Sequence, residues 1–503
     1  MSALIKSLFS RTINRNSGKE KSLFHRIFHC YLLSLFLILN CTTLICKPVI
    51  AAELPVQLWL TTPDQKNLLK KQKNRAFDQR GPSENNIVVD ASQTYQTMQG
   101  FGAAVTDASA ILLQQHLSKN KRQQLLTELF GRGIGGVGFD MTRITIGASD
   151  FSPTHYSFDD VALGESDNAL EHFSIDMHRS SVLPVLKQIK EINPELLIVA
   201  SPWSAPAWMK TSQSLYQGTL KPELYDVYAR FFMRFLQSYA TEGVPIFALT
   251  IQNEPHFEPT NYPGMRFAPE ARADFIGHHL GPMLKAAHSS TKIMDWDHNW
   301  DNPQSPLTVL SDPVAYPYID GVAWHCYAGD VAVQSVVHDA FPDKDAWLTE
   351  CSGGLWDAKW ENALTSLVNN LIIGSTRHWA KGVLMWNLVL DQNHGPHLGG
   401  CANCRAMVTV NTDTGKIQRN VEYYAFAHAS RFVRPGAKRI ASDSNINGLE
   451  TVAFQNQDDA SYVLVVSNSS TQSRVFTVQF EGKFFTYTIP VASVITAVWK
   501  QSR

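Results

Sequence analysis

The chain has 503 residues, 44% hydrophobic and 18% charged, which is long enough for two or three domains and ordinary for a soluble globular protein. Lys and Arg number 44 against 45 Asp and Glu, so no basic excess draws the body to nucleic acid or an anionic membrane. Seven cysteines are too few for a disulfide scaffold.

Lys6, Arg11, Arg15, Lys19, Lys21 and Arg26 precede an apolar run from Tyr31 to Cys46, and small residues Ala51-Ala52 follow. This pattern predicts a secretory signal over residues 1–52, and hence a secreted or periplasmic protein. The run falls short of the roughly 20 residues a spanning helix needs. A retained anchor is the alternative, and no stable membrane span is expected after cleavage. Beyond residue 52 the balance turns further to acid, because seven basic residues and one acid lie in the leader.

Residues 53–95 hold two strand-like runs, Val56–Thr61 and Ile87–Asp90, around a Lys-rich stretch that reads as loop. From residue 96 to 433, strands alternate with helices. Eight strand candidates follow: Met98–Gly102, Phe139–Gly147, Leu196–Ser201, Pro245–Ile251, Thr291–Asp295, Gly321–His325, Ala346–Glu350 and Gly382–Asn387. Helical periodicity between them is clearest over Ser174–Ile192, Leu224–Tyr239, Pro269–Ala287 and Lys359–Ala380. Such alternation predicts a (β/α)₈ TIM barrel, an α/β fold. Residues 434–503 alternate with period two between Asn, Asp, Ser and Gly turns, which predicts a small antiparallel β-sandwich joined by the N-terminal strands.

In such a barrel the chemistry sits at the C-terminal strand ends. Strand four ends in Asn253-Glu254-Pro255 and strand seven in Thr349-Glu350. Two such glutamates suit glycoside hydrolysis, with one carboxyl as acid and one as nucleophile or base. At the roughly 5–5.5 Å a retaining pair requires, two charges repel by about 3 kcal/mol at an effective dielectric near 20. Glu350 ionised is therefore expected to keep Glu254 protonated. Asp107, Arg143, Trp203, His325, Tyr327 and Trp386 lie at or near the other strand ends. Aromatic faces among acids and amides suit a sugar, with its apolar C–H faces and rim of hydroxyls.

Gly100-Phe101-Gly102 with Thr106-Asp107, Ser201-Pro202-Trp203, Trp208-Met209-Lys210, Asn253-Glu254-Pro255, His325-Cys326-Tyr327, Thr349-Glu350-Cys351 and Trp386-Asn387 together resemble glycoside hydrolase family 30. That family includes lysosomal glucosylceramidase and bacterial and fungal endo-β-1,6-glucanases. The resemblance implies an exported retaining β-glycosidase of glucosylceramidase type, needing no metal or cofactor, with Glu254 as acid/base and Glu350 as nucleophile. It further implies Asp107, Trp203, Asn253 and Trp386 holding the sugar and Tyr327 bonding the nucleophile, with Arg143, His325 and His397 also at the substrate site. His397-Leu398 stands where glucosylceramidases carry an Asn-Trp pair, so the outer pocket wall differs. The substrate would be a carbohydrate or a glycolipid. Alternatives are an endo-β-1,6-glucanase or xylanase of the same family, or a non-catalytic carbohydrate-binding protein.

Gly131-Arg132-Gly133-Ile134-Gly135-Gly136 follows a helix and precedes a strand, the reverse of a dinucleotide-binding order, and reads as a tight αβ turn. His394, His397, Cys401 and Cys404 resemble a zinc set, but in an exported chain a local Cys401–Cys404 disulfide is expected instead. Cys326 and Cys351 should both point out toward the helices, where they either bridge or stay as buried thiols.

Overall fold

In the computed structural model, which describes residues 54–82 and 84–501, eight parallel strands close a barrel. The leader expected over residues 1–52 lies outside these residues. In chain order the barrel strands are β1 (Gly100–Ala104), β2 (Met141–Ile146), β3 (Leu197–Pro202), β4 (Ala248–Thr250), β5 (Lys292–Asn299), β6 (Gly321–His325), β7 (Asp345–Glu350) and β8 (Ala380–Asn387). Neighbours in sequence are neighbours around the barrel, and β8 pairs back to β1.

The barrel interior is packed. Met141, Val199, Ala248, Met294, Ala323, Trp347 and Leu384, one from each of β2 to β8, form a layer. β1 contributes Gly102 there, because a Cβ at that position would sit 1.8 Å from the Met141 carbonyl oxygen. A larger apolar shell lies between the strands and the helices outside them.

Two strands differ from expectation in ways that shape the site. β4 is only three residues long: Pro245 has no N–H to give the ladder, and the chain leaves it at Ile251. β5 runs four residues past its expected end, to Asn299, through Trp296 (φ 77°) and Asp297 (φ 52°). Two successive non-glycine residues in the left-handed region are costly, on the order of 1–3 kcal/mol each. Packing around them must offset that cost.

The largest sheet outside the barrel has ten strands and takes its members from both sides of the barrel in sequence. Pro55–Thr61 pairs antiparallel with Ser493–Lys500, and Asn86–Thr97 pairs with Lys438–Ser442 and with Arg474–Phe480. The Lys-rich stretch expected as loop adds short strands, Lys70–Lys71 and Arg75–Ala76, to its edge. Alternate apolar residues, among them Val56, Leu58, Leu464 and Trp499, fill its core. The barrel is keyed to this sheet by His428 of helix Val421–Ser430. Its ring lies 2.8 Å from Thr61 Oγ1 and 2.9 Å from Thr496 Oγ1.

Candidate active site

Glu254 and Glu350 line one cavity of about 280 Å³ at the C-terminal end of the barrel. Glu254 follows short β4 with φ 48°, a conformation unfavourable for a residue before proline. Two backbone bonds hold it: Glu254 N–H donates to the Asp297 carbonyl and Asn253 N–H to that of Pro202. Glu350 is the last residue of β7, where the register with β6 shifts by one between Trp324 and His325. A shift of this kind re-aims the side chains that follow it.

Asp297 ties these elements together. Its Oδ2 accepts from Arg143 (2.7 Å), Ser201 (2.7 Å) and Thr250 (2.6 Å), and its Oδ1 from Thr349 (2.6 Å) and His325 (3.0 Å). Five strands thus converge on one buried carboxylate. Burial alone would favour its neutral form, but the charges of Arg143 and His325 outweigh that and hold it below the usual carboxylate range.

Arg143, fully buried on β2, spreads its guanidinium across the site. Nη1 donates to Glu350 Oε2 at 2.5 Å, and Nη2 to Asn253 Oδ1 at 2.8 Å. Its cation lies 4.8 Å from the ring of Trp203, which stacks on Trp386 at 4.9 Å. Tyr327 donates its hydroxyl to Glu350 Oε1 at 2.8 Å. The nucleophile candidate is therefore held by two donors, one on each oxygen.

His325 bridges Asp297 and Glu254, with Nδ1 3.1 Å from Glu254 Oε1. Burial opposes its charge, but Glu350 and Asp297 outweigh burial and raise it to about 9. Burial likewise favours neutral Glu254, yet His298 and His325 hold that carboxylate below its usual range. The expectation that Glu350 keeps the proton on Glu254 is thus revised, because the histidine one hydrogen bond away holds it more strongly. Glu254, His298 and His325 also place three donor atoms within 4.8 Å of one another, the reach of a metal site. Since His325 Nδ1 and the Glu254 oxygen are already bonded to each other, we assign this group a proton.

The predicted sugar ligands divide. Trp203, Asn253, Tyr327 and Trp386 line the cavity. Arg143 and His325 stand behind it, bonded to the two glutamates. Asp107 turns away. It begins helix Asp107–Gln115, capped by Thr106, and its Oδ2 accepts from Ser152 (2.6 Å) and Tyr156 (2.8 Å). The acid on the cavity wall is instead Asp150, in the loop after β2. Burial, with the charges of Glu350 and Glu254, raises Asp150 to about 8, so it presents a protonated carboxyl at neutral pH. Gly400 leaves it room: a Cβ there would meet the Asp150 carboxylate at 2.4 Å. His397 lies against Phe151, and its loop meets the cavity through Gly400, Cys401 and Cys404.

Cys401 and Cys404 are disulfide-bonded. So are Cys326 and Cys351, which resolves the choice between bridge and free thiols. Both of the latter face the shell between strands and helices, and the bond joins the residues next to Tyr327 and Glu350. Sequence reading missed Asp150, Asp297 and Tyr262, which also lines the cavity. Asp297 had one visible signal, its place in Asp295-Trp296-Asp297-His298 at a strand end.

The glycosyl hydrolase family 30 TIM-barrel domain matches residues 98–433, and the family 30 beta sandwich domain matches 436–497. The chain belongs to glycosyl hydrolase family 30. This family 30 protein is a glycoside hydrolase. It is 33% identical over 478 residues to an endo-1,6-beta-D-glucanase of Neurospora crassa, covering 91% of this chain and 98% of that one. The solved endo-beta1,6-glucanase BT3312 is 34% identical with a TM-score of 0.82, covering 89% of this chain and 99% of that one. The lysosomal acid glucosylceramidase of Mus musculus is 29% identical, covering 82% and 83%. Among the described residues, no helix is long and apolar enough to cross a membrane.

Proposed function

We propose that this enzyme is an exported endo-β-1,6-glucanase that cleaves with retention of anomeric configuration. This replaces the glucosylceramidase-type reading by its alternative. Supporting it are the endo-1,6-glucanases at 33–34% identity, against 29% for the mouse glucosylceramidase. The observation that supports glycoside cleavage is the pair Glu254 and Glu350 in one cavity walled by Trp203 and Trp386, and the linkage rests on the similarity to the glucanases. Export rests on the leader expected over residues 1–52.

In this reading Glu350, oriented by Arg143 and Tyr327, attacks the anomeric carbon and forms a glycosyl ester. Glu254 takes a proton from His325 and passes it to the departing oxygen, which leaves Glu254 ionised and His325 neutral. Esterification removes the charge on Glu350, which had held the proton at His325, and so favours this transfer. Glu254 can then accept a proton from the attacking water. Asn253 is placed for the sugar 2-OH, and protonated Asp150 donates to another hydroxyl. Phe257, Tyr327, Trp356 and Leu398, all exposed, come from four strand-end loops around the cavity and offer platforms to a longer chain.

The test is a panel of β-1,6-glucan, glucosylceramide, glucuronoxylan and an aryl β-glucoside, with the first-formed anomer read by NMR. We expect β-1,6-glucan to be cut internally with β product first. An inverted product, or glucosylceramide as the preferred substrate, would overturn the proposal.

A further inference from the structure

Beside the cleavage cavity lies a second groove, of about 380 Å³, which shares Tyr327 and Trp356 with it. One wall is helix Trp360–Leu367 and its continuation to Gly374. Ala363, Ser366, Leu367, Asn370 and Leu371 recur there at three- and four-residue spacing and so form one stripe facing the groove. Three of these five, Ala363, Ser366 and Asn370, are small or polar, where a helix packed on a neighbour would present bulky apolar groups. Ala363, Leu367 and Leu371 are buried in the core, while Ser366 and Asn370 are exposed and leave a space larger than the cleavage cavity.

The opposite wall is the loop after β7. Trp356, 57% exposed, folds back over Gly354, where a Cβ would sit 2.0 Å from the indole. The indole is thereby set as a partition between the two cavities. It offers an aromatic face beside the Asp357 carboxylate, the Ser366 hydroxyl and the Asn370 amide, the mixture that binds a sugar ring.

We propose that this groove is a second glycosyl subsite, holding a glucosyl unit of the same chain whose bond is cut at Glu254 and Glu350. The inference rests on the glucanase reading above. A 1,6-linkage adds a freely rotating exocyclic carbon between rings, so a chain bound in the cleavage cavity can turn past Trp356 into the groove. A stiff chain linked ring to ring through secondary hydroxyls cannot follow that bend.

Asn370→Trp fills the groove from the helix side without touching the cleavage cavity, and Ser366→Phe, one turn away, does the same should the first variant fold poorly. We measure kcat/KM on β-1,6-gluco-oligosaccharides of rising length and on an aryl β-glucoside, with thermal midpoints as the fold control. The expected result is at least about a tenfold loss on long oligosaccharides, or about 1.4 kcal/mol, with the aryl glucoside unchanged. Folded variants that keep the wild-type ratio of long to short substrate overturn the subsite. So does loss of binding to insoluble glucan with oligosaccharide kinetics intact, since the groove would then hold a separate strand. If wild type prefers long chains of a different glycan and the variants lose that preference, the subsite stands and the β-1,6 assignment falls. A wild type without glycosidase activity removes both.

Discussion

His325 stands between two carboxylates, its Nδ1 3.1 Å from Glu254 and its Nε2 3.0 Å from Asp297. The ring therefore carries a proton on each nitrogen whenever both acids are ionised. It is a reservoir from which Glu254 can be charged for catalysis.

That placement sets the alkaline side of the activity profile. His325 is raised to about 9, so the His325–Glu254 pair keeps its proton below that pH and loses it above. Activity of the wild type is expected to fall as pH rises through about 9. In His325→Gln, Glu254 must hold the proton alone, and the fall should move at least one pH unit toward acid. An unmoved alkaline limb in the kcat/KM profile would show that His325 holds no catalytic proton.

The roles of the two glutamates separate by rescue with azide. Glu350→Ala and Glu254→Ala should each cut turnover by about 10⁴-fold on an ordinary glycoside. On a dinitrophenyl β-glucoside, whose leaving group needs no acid, azide should restore Glu254→Ala and yield the β-glycosyl azide. Azide with Glu350→Ala should yield the α-azide, by direct displacement. The reverse pairing of anomers would exchange the two assignments.

Stability in acid should depend on His428. Burial lowers it to about 3, against about 6.5 in the unfolded chain. A lowered value means the fold binds the neutral ring, so its contribution is present above pH 6.5 and lost as pH falls through 3. Urea midpoints should drop across that window, and His428→Gln should flatten the slope. A variant with the wild-type slope would place the acid sensitivity elsewhere.

The two disulfides are expected to act differently. Cys326–Cys351 closes a loop of sequence separation 25, and its removal by Cys326→Ser with Cys351→Ser should cost about 2–4 kcal/mol in denaturant unfolding. Cys401–Cys404 spans a separation of only 3 and lines the cavity. Its paired serine variant should raise KM while leaving the unfolding midpoint nearly unchanged. Equal loss of stability in both would contradict the loop-closure argument.

Much of this protein was legible without coordinates. Period-two and period-3.6 apolar patterns mark the barrel and sandwich strands because each must turn one face to a core. Glu254 and Glu350 stood out because each follows a buried apolar run that reads as a strand, and a barrel gathers its strand ends at one site. What the linear chain could not reveal depends on direction and closure. Asp107 sits in a recognisable motif, yet at the start of a helix its side chain swings to Ser152 and Tyr156, and Asp150 takes the cavity wall. The hub at Asp297 joins donors from five strands spread over about 200 residues, and only barrel closure makes them neighbours. The proton on His325 follows from that meeting, because burial and three nearby carboxylates decide its charge, and none of them adjoins it in sequence.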